Sequence, residues 1–134
     1  MKAVLASVKP EWWEKMLSGE KTLEIRKSAP QSKDGRAFRW PLTVLVYVSG
    51  TGAVQGKFTC WGWVKTNLLE MLVERSRVPL EDLRAYAKGG SLYGWVVQSP
   101  EKFDAPSPLA EFGLNHPPMS WQYVEIPDAE EVPG

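Results

Sequence analysis

Residues 19–26 read GEKTLEIR and join the end of a predicted helix to the start of a predicted strand. Gly19 can adopt the left-handed conformation that ends a helix. The residues that follow alternate between polar and apolar, which is typical of a half-buried strand. This alternation puts Glu24 and Arg26 on one face of the strand, whereas Lys21 is out of phase with them. The sequence leaves open whether the side chain of Lys21 reaches the same cleft.

Upstream of this stretch the sequence predicts a strand and then a helix. The strand over residues 1–9 carries apolar side chains on both faces, so we expect it to be central in a sheet. Pro10 suits the first helical position, and Gly19 ends the helix. One helical stripe contains three apolar side chains that should be buried: Trp13, Met16 and Leu17.

Downstream, β-branched residues over 43–49 and an alternating run over 53–65 predict a hairpin around a Gly-Thr-Gly turn. In the second strand, Cys60 and Val64 fall on the apolar face, and we interpret Cys60 as a core residue rather than a nucleophile. Trp61 and Trp63 fall on the polar face. They could stack on bases or pack against the adjacent helix, and packing is the favoured interpretation.

Two short helices follow, the first capped by Asn67 and the second opened by Pro79. The first should bury one stripe of side chains: Leu68, Leu69, Leu72 and Val73. Strands are then predicted over residues 91–98 and 120–126. Several prolines between them, from Pro100 to Pro118, predict a connection without regular structure.

This order of elements predicts a mainly β fold, namely a β-barrel with flanking helices, rather than a helix-covered parallel sheet. The length of 134 residues suits one domain, which we place at residues 1–126, followed by an acidic tail at 127–134. One cysteine and one histidine exclude an internal disulfide and a Cys/His zinc site, so we expect no metal and no cofactor. No signal peptide or run of about 20 apolar residues is present, which predicts a cytoplasmic protein without membrane association.

The formal net charge is zero, which argues against a strongly basic nucleic-acid-coating protein. Residues 1–65 nevertheless carry eleven Lys or Arg against five Asp or Glu, and residues 66–134 carry five against eleven. This polarity could steer an anion, or the two halves could mix in space and cancel. The loop predicted over 28–40 contains Lys33, Arg36 and Arg39, which are candidate nucleic-acid contacts; a solvated loop is the alternative. His116, in the proline-rich connection, is interpreted as structural rather than as a general base.

Lys21, Glu24 and Arg26 allow two interpretations. Glu24 and Arg26 can form a surface ion pair worth at most about 1 kcal/mol, with Lys21 solvated. Alternatively, Lys21 and Arg26 hold a phosphate or a polarised carbonyl, while Glu24 orients them or accepts a proton.

The pattern G-x-K-x-x-E-x-R, formed here by Gly19, Lys21, Glu24 and Arg26, resembles the signature of the ASCH domain family, which is related to the PUA RNA-binding fold. Further matching segments extend the resemblance along nearly the whole chain: Ser7-Val8-Lys9-Pro10, Tyr47, Gly52 to Phe58, Tyr93-Gly94-Trp95, Pro108-Leu109 to Phe112-Gly113, Pro117-Pro118 and Ser120-Trp121. The resemblance implies a PUA-like pseudo-barrel with a ligand cleft. It adds Lys9 and Tyr93 as ligand-binding candidates.

The resemblance also implies that the ligand is RNA, a nucleotide or a modified nucleoside. Some family members are small amidohydrolases that remove an acyl group from a cytidine amine with a Lys, a Thr and a Glu, and others are associated with RNA cleavage. Here Lys21 fits and Glu74 is a candidate carboxylate, but Glu24 stands where those enzymes have Thr, and Thr22 lies two residues away. Binding of RNA or a nucleoside is therefore the leading prediction.

Two other functions stay open. One is a metal-independent amidohydrolase or ribonuclease with Lys21 and Glu24 as catalytic residues. The other is an accessory domain that binds an unidentified protein through the acidic second half.

Overall fold

The computed structural model describes residues 1–31 and 41–127. Its strands are β1 (Lys2–Val8), β2 (Leu23–Arg26), β3 (Leu42–Val48), β4 (Ala53–Thr66), β5 (Leu92–Pro108) and β6 (Trp121–Glu125). Its α-helices are α1 (Pro10–Ser18), α2 (Val73–Ser76) and α3 (Leu80–Ala87), and 3₁₀ helices span Leu69–Leu72 and Leu109–Phe112. None of these helices is long and apolar enough to cross a bilayer. Most of the predicted acidic tail lies outside the described residues.

The six strands form one sheet in the order β2-β5-β4-β3-β1-β6. β1 and β3 run parallel, and every other neighbouring pair is antiparallel. The sheet curls into a half-barrel with flanking helices, so the predicted mainly β fold is confirmed. β1 lies between β3 and β6, which explains why its side chains are apolar on both faces.

Apolar side chains pack on both faces of the sheet. One cluster contains Val4, Phe58 and Trp95, and α1 covers it with Trp13 and Met16. A second cluster lies on the opposite face of β1 and β3, because alternate residues of a strand point to opposite sides. A third cluster joins β2 to the short helices: Leu23, Ile25, Leu69, Leu72, Leu83 and Leu92. This third cluster positions α3 beside β2.

A bulge in β4 overturns part of the predicted alternation. Gly62 has a φ of 142°, and the pairing of β4 with β5 shifts register between Cys60 and Trp63. An extra residue reverses which face the following side chains occupy. Trp63 therefore packs against the first cluster, whereas Val64, predicted to be buried, is 43% exposed. Trp61 is 54% exposed, so the prediction that Trp61 and Trp63 share one face is wrong.

The predicted cap at Asn67 is also wrong. The backbone N–H of Leu68 donates to Thr66 Oγ1 at 2.9 Å, so the threonine hydroxyl satisfies the start of this segment. The chain then forms a 3₁₀ turn rather than a long helix, and Leu68 is exposed while Leu69 and Leu72 are buried.

β5 is longer than predicted, because it continues through Pro100 and Pro106. After Val97, β4 is the one described strand that pairs with β5, so the other edge of β5 is open there. A proline has no N–H to donate and is tolerated at such an edge or at a bulge. Register shifts against β4 and a φ of 50° at Ser99 accommodate the two prolines.

Candidate functional site

A cleft of about 400 Å³ lies between the start of α1, the strand β2 and the helix α3. Its lining comes from four parts of the chain: Ser7, Val8, Lys9, Glu11, Trp12, Lys21, Glu24, Ile25, Arg26, Val78, Asp82, Leu83 and Tyr86. Lys21, Glu24 and Arg26 all line it, so the question that the sequence left open is answered. The backbone N–H of Lys21 donates to the carbonyl of Lys15 at 3.0 Å, and this turn directs Lys21 into the cleft before β2 begins.

Lys21 is a buried cation, 1% exposed. Its Nζ donates to the carbonyl of Ser76 at 2.7 Å and lies 4.7 Å from the ring centre of Trp12. Burial lowers the pKa of Lys21, since it removes water from the ammonium group; Glu24 raises this pKa and Arg26 lowers it further. The amine is thus more easily deprotonated than a lysine at the surface.

Glu24 is 6% exposed, and its carboxylate is held at one end. Oε1 accepts the backbone N–H of Ile25 at 3.0 Å. Oε2 lies 3.9 Å from Arg26 Nη2 and has no hydrogen-bond partner within residues 1–31 and 41–127. A buried oxygen without a partner is costly, so this atom is a ready acceptor for a ligand N–H or O–H.

Arg26 is 8% exposed, and its guanidinium spans the two ends of the curled sheet. Nη2 donates to the carbonyl of Ser7 at 2.7 Å, and Nη1 donates to the carbonyl of Ser120 at 3.2 Å and to its Oγ at 3.1 Å. Nε has no partner in the described part of the chain. The ion pair of Glu24 and Arg26 considered from the sequence is thus present at 3.9 Å, but it is buried rather than at the surface, and Lys21 is buried rather than solvated. The terminal nitrogens are already bonded within the protein, which leaves Nε as the donor without a partner.

The rim of the cleft is exposed and charged. Lys9, a predicted ligand-binding residue, lies there with Glu11 and Asp82. The lining as a whole carries three cationic side chains and three carboxylates, if Lys21 is counted as charged. Such a balanced cleft does not attract a phosphate as strongly as a purely basic one.

Tyr93, the other predicted ligand-binding residue, is not part of the described lining. Its hydroxyl accepts a long hydrogen bond from Gln31 Nε2 at 3.4 Å, and its ring packs edge-on against Trp63 with centroids 5.0 Å apart. Tyr93 is nevertheless the cross-strand partner of Arg26 in the pairing of β2 with β5, so it lies beside the described lining rather than in it.

Sequence reasoning missed the contribution of Trp12, Asp82 and Tyr86 to the cleft. α3 reaches the cleft because Leu83 packs against the apolar side of β2, a contact that no local motif encodes. The one feature of the sequence that could have indicated part of this lining was Trp12, because it does not belong to the buried stripe of α1.

Other candidate residues lie elsewhere. The Oγ1 of Thr22 accepts a hydrogen bond from Arg75 Nε at 3.2 Å, outside the cleft. Glu74 and His116 are exposed and do not line it. Cys60 is buried, as predicted, and burial raises the pKa of its thiol.

Lys33, Arg36 and Arg39 lie outside the described residues. In the segments that the structure covers, no group of three or more His, Cys, Asp or Glu is arranged to hold a metal ion.

The fold is shared with known structures. The chain is similar to ASCH from Zymomonas mobilis, with a TM-score of 0.74 and 17% identity over 92% of this chain and 87% of that one. A serine-to-alanine mutant of the same protein, ZmASCH, gives a TM-score of 0.75 at 17% identity over 92% and 88%. A tyrosine-to-phenylalanine mutant also gives 0.75 at 17% identity, over 93% and 91%. No family model matches the sequence, and no curated protein matches it. The chain has the ASCH domain fold.

Proposed function

We propose that the chain binds a nucleoside, either free or as one unit of an RNA, by inserting the base into the cleft. The observation that carries this proposal is that two buried atoms of the cleft residues, Glu24 Oε2 and Arg26 Nε, have no hydrogen-bond partner among the described residues. Nearby, Lys21 Nζ donates a hydrogen bond to the carbonyl of Ser76. A small polar ligand with both donors and acceptors would satisfy all three groups.

The size and walls of the cleft support this ligand class. Its volume of about 400 Å³ lies within the roughly 300–1,000 Å³ that is usual for small-molecule sites. Trp12 and Tyr86 supply aromatic surface, and Val8 and Leu83 supply aliphatic surface. Aromatic side chains beside a few convergent polar groups suit a flat heterocycle.

The charge of the cleft favours a base over a phosphate. The three carboxylates of the lining offset its three cations, and the terminal nitrogens of Arg26 are occupied. A phosphate needs several free charged donors. The resemblance to ASCH domains, which are related to the PUA RNA-binding fold, supports a nucleoside as the ligand.

Isothermal titration calorimetry with the four ribonucleosides and short single-stranded RNA tests this proposal. We expect Lys21→Met to weaken binding of the preferred ligand at least about tenfold, because it removes one donor to a buried ligand atom. Lys102→Met, at an exposed site on β5, is the matched control and should bind as the wild type does. Unchanged affinity in a folded Lys21→Met variant would rule out the cleft as the binding site.

A second candidate function is hydrolysis of an N-acylated cytidine or of RNA. The specific observation in its favour is the lowered pKa of Lys21, which makes the amine a better proton acceptor at the site of a bound ligand. Thr22 and Glu74 do not line the cleft, so chemistry there would depend on Lys21 and Glu24.

Product formation distinguishes this candidate from binding alone. Purified protein would be incubated with N-acylated cytidines and with RNA, with and without divalent metal, beside Lys21→Met and Glu24→Ala. Product from the wild type that both variants fail to form supports hydrolysis. Equal product in all three samples identifies a contaminant and removes this candidate.

A further inference from the structure

We infer that the cleft selects a base with an imide edge, as in uracil, over the other standard bases. This inference rests on the proposed function and names the ligand within it. It follows from the hydrogen-bonding groups of Lys21, Glu24 and Arg26, which line the cleft and follow one another in this order along the chain into β2.

The first group is a donor. Lys21 Nζ gives one hydrogen bond to the carbonyl of Ser76 at 2.7 Å. An ammonium has three N–H groups and a neutral amine has two, so at least one remains to be donated in either protonation state. The Trp12 ring on one side and the Ser76 carbonyl on the other hold the nitrogen in place.

The second group can only accept while it is ionised. Glu24 Oε1 is held by the backbone N–H of Ile25, and this fixes the carboxylate so that Oε2 makes no hydrogen bond to the described part of the chain. A carboxylate oxygen in this position requires an N–H or O–H on the ligand.

The third group is again a donor. Arg26 Nε has no hydrogen-bond partner in residues 1–31 and 41–127, and the hydrogen bonds of Nη1 and Nη2 to Ser120 and Ser7 prevent the guanidinium from turning away. Glu24 and Arg26 occupy the same face of β2, and Oε2 lies 3.9 Å from Nη2. Adjacent atoms of one ligand can therefore engage both side chains.

A site that offers a donor, an acceptor and a donor in this order is complementary to a ligand edge that carries an acceptor, a donor and an acceptor. The pairing edge of uracil has this order: O4, N3–H and O2. Cytosine places the lone pair of N3 opposite a carboxylate. Adenine has one acceptor beside its amine, and guanine presents a second donor where Arg26 also donates. A mismatched edge leaves buried polar atoms unsatisfied, which is the main source of discrimination in such sites.

Calorimetric affinities of the wild-type protein for uridine, N3-methyluridine, cytidine, adenosine and guanosine test this inference. We expect uridine to bind at least about tenfold more tightly than each of the others, including N3-methyluridine, which differs from it by loss of the N3 donor. Equal binding of uridine and N3-methyluridine, or a preference for cytidine, overturns the inference.

A variant gives an independent readout. Glu24→Gln keeps the size of the side chain but can offer an amide N–H to N3 of cytosine, so the preference for uridine over cytidine should shrink at least about tenfold. Glu111→Gln, at an exposed position on the second 3₁₀ helix, should leave the preference unchanged. An unchanged preference in Glu24→Gln contradicts the inference.

The two proposals fail in different ways. If no nucleoside binds, the proposed function is lost. If nucleosides bind with dependence on Lys21 but without preference for the imide edge, the proposed function stands and the inference alone falls.

Discussion

Lys21 is a lysine whose ammonium group has exchanged most of its water for the carbonyl of Ser76 and the ring of Trp12. Such an exchange seldom compensates for lost hydration, and the pKa of Lys21 is therefore lowered. A residue of this kind weakens the folded state in its charged form. Stability therefore does not explain a lysine at this position, whereas the ligand contact that we propose would.

The lowered pKa of Lys21 predicts a pH dependence of folding. Between this lowered pKa and the ordinary value of 10.5, the unfolded chain holds a proton that the folded chain has released. The contribution of Lys21 to the free energy of unfolding therefore increases as the pH rises through this window. We expect the difference between wild type and Lys21→Met, measured by urea denaturation, to shift in favour of the wild type between pH 7 and pH 10.5.

Lys102→Met serves as the control, because this lysine is exposed, and its difference from wild type should be flat over the same range. A flat difference for Lys21→Met as well would show that Lys21 is not desolvated in solution.

The sequence indicated Lys21, Glu24 and Arg26 as cleft residues better than it indicated what surrounds them. Alternation put Glu24 and Arg26 on one face because strand geometry is local. The entry of Lys21 depends on a backbone hydrogen bond to Lys15, and the approach of Asp82 depends on packing of α3. Neither is encoded within a few residues of the motif, so only the folded chain reveals them.

Among the secondary-structure elements, β2 and β6 are the outer strands of the sheet, and Arg26 connects them across the open side of the curl. Ser28 Oγ accepts a hydrogen bond from Trp121 Nε1 at 3.0 Å on the same side. We call this set of contacts, made by Arg26 and Ser28, the seam. It gives Arg26 a structural role in addition to its place in the cleft.

Removing Arg26 should open the seam. Arg26→Met leaves the carbonyls of Ser7 and Ser120 short of a donor and removes the cation next to Glu24, which we expect to cost about 3 kcal/mol in the free energy of unfolding. Urea denaturation measures this cost, and faster amide hydrogen exchange in β6 would locate it. The exposed Arg84→Met should cost less than about 0.5 kcal/mol. Equal costs for the two variants would contradict the seam.

Gly56 lies in β4 where the chain packs tightly against β5 and α1. A Cβ at this position would lie 2.2 Å from the carbonyl oxygen of Glu101 and 2.6 Å from Cζ2 of Trp13. Because one of these neighbours is backbone, we expect Gly56→Ala to destabilise the fold by about 3 kcal/mol in thermal or urea unfolding. Gly90→Ala, whose nearest atom is 3.3 Å away, should cost less than about 1 kcal/mol. A mild effect at Gly56 would show that β4 and β5 can separate locally.

Sequence patterns predicted the existence of each strand more reliably than its extent. The hairpin of β3 and β4 was predictable from β-branched runs on either side of a glycine turn. The bulge at Gly62 was not, because one inserted residue leaves the composition unchanged while it reverses the faces of Trp63 and Val64. The length of β5 depends on its open edge, which tolerates Pro100 and is a property of the assembled sheet.

At the scale of the whole molecule, the two oppositely charged halves of the sequence interleave. β5 belongs to the acidic half, yet it lies between β2 and β4 of the basic half, and β6 pairs with β1. The cleft likewise combines residues from both halves, with Asp82 facing a lining that the basic half mostly supplies. This arrangement supports the alternative in which the two halves of the sequence mix in space. It argues against a molecule with one basic end and one acidic end.

Interleaved charge predicts how salt affects binding. A base held in a balanced cleft releases few counterions, so the affinity for uridine should change less than about twofold between 50 and 200 mM salt. An oligouridine would add phosphate contacts if Lys33, Arg36 and Arg39 bind the backbone, as the sequence predicts. Three such contacts should lower its affinity about 20-fold over the same range.

Calorimetry on the variant Lys33→Gln/Arg36→Gln/Arg39→Gln separates the two contributions. Its salt dependence for oligouridine should fall to that of uridine, while its affinity for uridine itself stays unchanged, because Lys21, Glu24 and Arg26, which we propose to bind the base, are intact in this variant. If the variant keeps the steep salt dependence, the phosphates are bound elsewhere on the surface. The cationic side chains of the cleft rim, such as Lys9, would then have to make those contacts despite the neighbouring carboxylates of Glu11 and Asp82.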